Sequence, residues 1–301
     1  MSAVVPDSRW VPYVIGTLVA LLTGLVIFGG LHRISAVSQV VMPVVAIAYL
    51  MVGIIIVGIN AARLPAAFAS IFTDAWGANA MVGTAFGTIV MTGVKRGMFS
   101  NEAGMGSVPN ASATAAVTHP VKQGLVQTLG VYFDTWLVCS ITAFIILVST
   151  PDLTDAPRGV ALTQNALTSA LGSWSGILLA VMIFLLGFTS VLGNYYYGET
   201  NLRYITADPR ALTVLRVLVV VSVFLGSIAS ADLIWNMSDG VMGLMALINL
   251  TAVAMLSPLG FRLIKDYTRQ RRLGHDPVFT RDLMPDVANI ESGRTRRVSP
   301  V

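Results

Sequence analysis

Six apolar runs, near residues 11–30, 38–59, 124–149, 174–197, 213–230 and 238–258, set the terms for any fold of this 301-residue chain. Each is long enough to cross the hydrocarbon core of a bilayer, which takes about 20 helical residues. The runs are continuous and lack the alternation of a membrane β-barrel, so helices are expected. Composition agrees: charged residues make up 11% of the chain and mean hydropathy is +0.75, whereas soluble domains carry about 25% charged residues. A seventh stretch, 79–94, is shorter and Gly-rich, with Gly83, Gly87 and Gly93, and runs on through Gly97 to Ser107. It is expected to be a span interrupted partway, with the helix breaking between Gly93 and Gly106.

Loop charge orients the bundle. With the C-terminus in the cytoplasm and seven spans, 16 of the 19 Lys and Arg residues fall on the cytoplasmic side, leaving Arg9, Arg63 and Arg158 outside. This is the positive-inside asymmetry of membrane proteins. The chain thus divides into a transmembrane bundle, 1–258, and a basic tail, 259–301, expected to be largely disordered in the cytoplasm. Residue 1 then falls outside, directly before a span, so helices upstream are expected. The net charge of +4 is a matter of topology and does not point to nucleic acid.

Enzyme templates find no purchase. His32 and His119 read as loop residues and His275 lies in the tail, while Cys139 is the single cysteine. No triad, zinc spacing or phosphate loop is present, so neither enzyme activity nor a cofactor is expected.

Polar groups inside lipid are costly unless satisfied, which makes them informative. The segment from Gly97 to Ser107 has three glycines and the polar residues Ser100, Asn101 and Glu102, with Gly104 and Gly106 beyond. An opened helix frees N–H groups that suit a carboxylate and carbonyls that suit a cation. An ordinary loop followed by a helix start is the alternative. In the fourth long run counted from the N-terminus, Thr189 and Ser190 offer hydroxyl oxygens to a hard cation such as Na⁺. Asn194 shares a helix face with Ser190. The alternative has these hydroxyls bonding back to their own helix, and Tyr195, Tyr196 and Tyr197 forming an interfacial aromatic belt. Asp134 and Thr135 stand near mid-membrane, where an acid binds a cation, carries a proton or holds a neighbouring helix. Asn249 reads as interhelical glue.

The run Lys95-Arg96-Gly97-Met98-Phe99-Ser100-Asn101-Glu102-Ala103-Gly104-Met105-Gly106-Ser107 resembles the hallmark segment of the alanine/glycine:cation symporters. His119 to Leu125, Gly130 to Thr135, Asn194 to Glu199 and Met242 to Asn249 continue the resemblance in order. It implies the C-terminal part of a leucine-transporter-type inverted-repeat fold, with 79–107 as the broken first helix of the second repeat. It implies symport of a small neutral amino acid, alanine or glycine, with Na⁺ or H⁺ as coupling ion, by alternating access in the cell membrane. Ser100, Asn101, Glu102, Gly104, Gly106 and Asn194 become substrate-site candidates, and Thr189 and Ser190 Na⁺ ligands. The family's first broken helix has no counterpart here, so a membrane scaffold that does not transport is the alternative expectation.

Overall fold

The computed structural model describes residues 10–76, 84–149 and 159–287, and these form an all-helical architecture. The helices are α1 Val11–Ile27, α2 Leu31–Ile59, α3 Leu64–Trp76, α4 Thr84–Asn101, α5 Val108–Ser112, α6 Pro120–Ser149, α7 Val160–Leu171, α8 Trp174–Ile205, α9 Pro209–Ile228 and α10 Ala231–Arg272. Among the described residues, five helices, α2, α6, α8, α9 and α10, are long and apolar enough to cross a membrane. Seven spans were expected. Helix α1 is apolar but only 17 residues long, and α4 spends its second half on Lys95, Arg96, Ser100 and Asn101. Residues 79–83, where the interrupted seventh run begins, lie outside the described residues. Large apolar side chains such as Val14, Leu129 and Met255 stand exposed along the helices, which fits a lipid surround. The chain is an integral membrane protein.

Three local outcomes differ from the sequence expectation. Helices α3 and α7 were not anticipated, because at 13 and 12 residues they are too short to register as spans. Helix α10 does not stop with its apolar run at 258 but continues through Pro258 to Arg272. Arg269, Arg271 and Arg272 occupy its last turn, where cations oppose the negative end of the helix dipole, and Gly274 follows at φ 79°. Helix α6 is widened into a π-helical segment, Phe133–Cys139, around Asp134.

The chain forms two compact units. The first comprises 1–100 and 133–239. One core joins Ile56 of α2, Ala67 of α3, Ile145 and Val148 of α6, Ala166 and Leu167 of α7 and Leu179 of α8. A second core joins Ile27 of α1, Ile34 of α2 and Leu192 and Tyr195 of α8. Helix α1 lies against α9 so closely that a Cβ on Gly16 would meet Ser227 Cβ at 2.9 Å. Arg63 donates to the Val148 carbonyl at 2.9 Å, satisfying one of the orphan groups at the end of α6.

The second unit comprises 101–132 and 240–301. Here the residues after α10 fold back as a strap. Phe279 N–H donates to the Thr118 carbonyl at 2.9 Å, and Thr118 Oγ1 donates to the Pro277 carbonyl at 3.1 Å. Gln270 of α10 exchanges two hydrogen bonds with the backbone of Val278. Lys122 pairs with Asp276 at 2.6 Å, and Arg262 holds Asp286 through two bonds of 2.9 and 2.8 Å. His119, read from sequence as a loop residue, is fully buried beneath this strap against Tyr267 and Phe279. Its Nδ1 accepts from Val121 N–H, and its Nε2 points at Asp266 Oδ2, 3.6 Å away. Burial pushes the imidazole pKa down, with the Asp266 carboxylate pulling the other way.

Candidate functional site

The interruption expected between Gly93 and Gly106 is present. Helix α4 ends at Asn101, and α5 does not begin until Val108. Between them Glu102, Gly104 and Gly106 all take positive φ, 54°, 81° and 94°. A positive φ suits glycine and strains glutamate, which marks Glu102 as a held position. Its carboxylate accepts from the Ser107 hydroxyl across the opened turn. Asn101 Oδ1 caps the Ala103 N–H at 3.0 Å. Asn249 of α10 donates to the Gly104 carbonyl at 3.0 Å. A Cβ on Gly106 would meet Asn249 Cβ at 2.9 Å, so close approach adds a second reason for glycine there. Asn249 therefore holds the broken segment by its backbone, a more specific task than general helix association.

In the first unit, Ser100 at the end of α4 donates to Asp134 Oδ2 at 2.6 Å. Cys139 Sγ lies 3.3 Å from Ser100 Oγ and 4.0 Å from the same carboxylate oxygen. Thr135, the neighbour of Asp134, offers its carbonyl to Ser140 Oγ at 3.5 Å, the i to i+5 reach of a π turn. Asp134 also lines a cavity of about 500 Å³ walled by α2, α6, α7 and α8. The wall is mostly apolar, apart from a Tyr49–Thr142 hydrogen bond of 2.7 Å and Thr163.

Thr189 and Ser190 sit consecutively on α8 and point to different sides. Thr189 is buried, with its hydroxyl 3.0 Å from the Leu185 and Leu186 carbonyls and 3.0 Å from Met42 Sδ of α2. Ser190 is exposed, as is Asn194 one turn on, whose amide donates to the Ser190 carbonyl at 2.9 Å. The structure thus pairs Ser190 with Asn194 on one face and turns Thr189 toward α2. The Thr189 hydroxyl has acceptors both on its own helix and in Met42 Sδ of α2.

One network escaped the sequence reading. Tyr195 is buried, not part of an interfacial belt, and donates to the fully buried carboxylate of Glu199. Arg203 grips Glu199 Oε1 through Nε at 2.8 Å and Nη2 at 2.6 Å. Arg216 of α9 donates to Tyr195 Oη at 3.0 Å and lies 5.6 Å from the Phe28 ring centre. The i, i+4 spacing of Tyr195, Glu199 and Arg203 was visible in the sequence. Nothing marked which helix face was buried.

A profile described as the sodium:alanine symporter family matches residues 2–281. The amino-acid carrier protein AlsT of Bacillus subtilis is 45% identical over 93% of this chain and 60% of its own length. The probable sodium/glutamine symporter GlnT of the same organism is 43% identical over 92% of this chain and 58% of its own length. A putative sodium/proton-dependent alanine carrier protein, YrbD, also from B. subtilis, is 36% identical over 89% of this chain and 59% of its own length. The chain therefore spans about 60% of the length of the curated relatives it matches. By profile and by identity, it belongs to the sodium:alanine symporter family, a family of transporters and not of enzymes.

Proposed function

We propose that the chain is the C-terminal part of a symporter that moves a small neutral amino acid together with Na⁺ by alternating access. The observation that supports this most is the opened segment from Glu102 to Ser107. Three positive-φ residues interrupt the helical hydrogen-bond ladder there, and Asn249 holds the opening in place. In a membrane such backbone is tolerated only where it lines a protein cavity or a solute path. Ser100, Asn101, Glu102, Gly104 and Gly106 are the residues proposed to meet the substrate, with Asn194 facing its side chain. Thr189 and Ser190 are proposed Na⁺ ligands, since Na⁺ prefers oxygen donors. Alanine or glycine is the proposed substrate class. GlnT is named for glutamine, so the side-chain pocket is expected to vary while the backbone site stays. The proposed orientation places the C-terminus in the cytoplasm, with the strap on that side. A non-transporting scaffold is not favoured, because the matched relatives are named as carriers and symporters.

The test is uptake of labelled alanine and glycine into vesicles. It compares the chain alone with the chain joined to the N-terminal part of AlsT, in NaCl and in choline chloride. Thr189→Ala or Ser190→Ala should raise the Na⁺ concentration for half-maximal uptake several-fold, with a smaller effect at saturating Na⁺. Asn194→Ala should change which amino acids compete. Normal Na⁺ dependence in both hydroxyl variants, at normal membrane levels, would remove them from the cation site.

A further inference from the structure

Among the described residues, Asp134 differs from every other acid within a long apolar helix whose contacts are defined. Glu199 is met by Tyr195 and twice by Arg203. Asp239 pairs with Arg96, and Asp266 with Arg269 and Gln270. Asp134 is given one hydroxyl, from Ser100, with a weakly donating thiol at 4.0 Å, and no Lys, Arg or His among the described residues forms an ion pair with it. A carboxylate has about four acceptor positions, so most of its capacity is unused. It sits where a π-helical segment re-aims the side chain, at the edge of the 500 Å³ cavity. A charge in such surroundings is neutralised by a counter-ion or by a proton.

The donor set chooses between these. An alkali cation needs several converging oxygens, as hard cations do. Among the described residues, Ser100 Oγ is the hydroxyl bonded to Asp134; of the cavity's hydroxyls, Tyr49 and Thr142 are bonded to each other and Thr163 stands on α7. The rest of the wall is residues such as Met42, Val45, Val138, Leu179 and Met182. That lining favours a proton, which needs one carboxylate and one hydrogen-bond partner, over Na⁺, which needs several converging oxygens.

We propose that Asp134 is a proton-exchange site, taking a proton from the cavity side and, on taking it, letting go of Ser100, which lies in the last turn of α4 just ahead of the break. When ionised, Asp134 accepts from Ser100. When protonated, it no longer demands that donor, and Ser100 at the end of α4 is released. Occupancy of the carboxyl thereby sets whether α4 is tied to α6. The other titratable groups facing it are few. Tyr49 comes from α2 and Cys139 from α6 itself. From α4 the charged residues are Lys95 and Arg96, the latter turned to Asp239 at 4.0 Å and to the Trp235 ring. The residues of α7 and α8 that line the cavity carry no titratable group. This site is separate from the Na⁺ site proposed at Thr189 and Ser190. It rests on the coupled-transport reading for its purpose, but not for its test.

Cys139, the single cysteine, provides the readout. An adjacent carboxylate anion disfavours the thiolate, which is the species that reacts. In the reconstituted chain, the rate of Cys139 alkylation is measured against pH in choline chloride, for wild type and Asp134→Asn. The ratio of variant to wild-type rate is expected near one in acid, where both side chains are neutral. It should rise about tenfold for each pKa unit that the anion adds to the thiol, with its midpoint marking Asp134. The ratio is read at pH values where both thiols are still mostly protonated, because it returns toward one once both are ionised. Ser100→Ala removes the hydroxyl that Asp134 accepts from and should displace that midpoint; measured against wild type, it also serves if Asp134→Asn does not fold. A ratio that stays flat across the pH range overturns the proposal. So does a ratio that collapses on adding Na⁺ at high pH, because the site would then belong to the metal ion. Neither result touches the uptake phenotypes of Thr189 and Ser190, so the two readings fail separately.

Discussion

Two carboxylates in the first unit, Glu199 on α8 and Asp134 on α6, share a setting in apolar helix and differ in how they are satisfied. Glu199 is wholly buried, and its two oxygens take a phenol and two guanidinium N–H groups. Asp134 takes one serine hydroxyl beside an open cavity. A saturated buried acid rigidifies: it fixes α8 to α9 through Tyr195 and Arg216, and removing it strands its partners. An unsaturated one is costly to keep charged, and its retention argues for a task that involves changing state. Function in a membrane protein is thus better read from what a polar group lacks than from its depth alone.

The strongest way to break this contrast is Glu199→Ala. The Tyr195 hydroxyl would lose its buried acceptor. Arg203 is half exposed and can turn to water, so the cost is about 1–3 kcal/mol, that of one stranded buried group and not of a fully buried ion pair. Glu199→Gln keeps one acceptor oxygen, enough for one of the two partners, and should cost less. Thermal unfolding of the purified protein in detergent measures both. Equal stability of Glu199→Ala and wild type would mean the network is decorative.

Next comes the break itself, where backbone is at stake as well as side chains. Gly106→Ala places a Cβ at φ 94° and 2.9 Å from Asn249 Cβ. Left-handed strain alone costs about 1–2 kcal/mol. Adding Asn249→Gly should recover the steric part and leave the strain, so the pair should be clearly non-additive. Additive losses would show that Asn249 does not hold the opened segment.

A smaller effect is expected where the comparison predicts freedom. Tyr195→Phe removes a donor from a closed network and should cost about 1 kcal/mol. Ser100→Ala removes the corresponding donor from Asp134, where the open cavity lets water replace it, and should cost less than Tyr195→Phe in the same melt. A larger loss for Ser100→Ala would make the Asp134 contact structural and reverse the contrast.

How much of this was legible beforehand follows from the range of each interaction. The break could be read because its cause is local: Gly104 and Gly106 among polar residues cannot sustain a helix. Asp134 could be flagged from its depth in the run, but not its π turn, which has no residue signature in Phe133–Cys139. The Glu199 network was missed because Arg216 lies 21 residues from Tyr195 on another helix, and an apolar run does not announce which face is buried. His119 does lie in the turn before α6, but its burial was not legible, because it depends on Phe279, 160 positions later. Helices α3 and α7 escaped because a bilayer-length window passes over elements of 13 and 12 residues.

The smallest effect concerns the strap, where charge pairs lie in water. Asp286 is held below the usual carboxylate range by its hydrogen bonds from Arg262. A depressed acid stabilises the folded form above its unfolded pKa and loses that contribution as pH falls through the lower, folded one. His119 is depressed as well, by burial. Above about 6.5, the unperturbed imidazole value, it is neutral folded or unfolded and contributes nothing to pH dependence. Below that value the released imidazole binds a proton that the buried one resists, so the strap weakens. Acid should therefore loosen residues 273–287 in two stages, first through His119 and then, at pH below the ordinary carboxylate range, through Asp286. Backbone hydrogen exchange over the strap, corrected for its intrinsic pH dependence, measures both. His119→Asn should abolish the first stage. Asp286→Asn should abolish only the second, with little change at neutral pH, because an exposed ion pair is screened and easily replaced by water. A strap whose protection ignores pH in both windows would show that the backbone bonds at Thr118, Gln270 and Val278 hold it unaided.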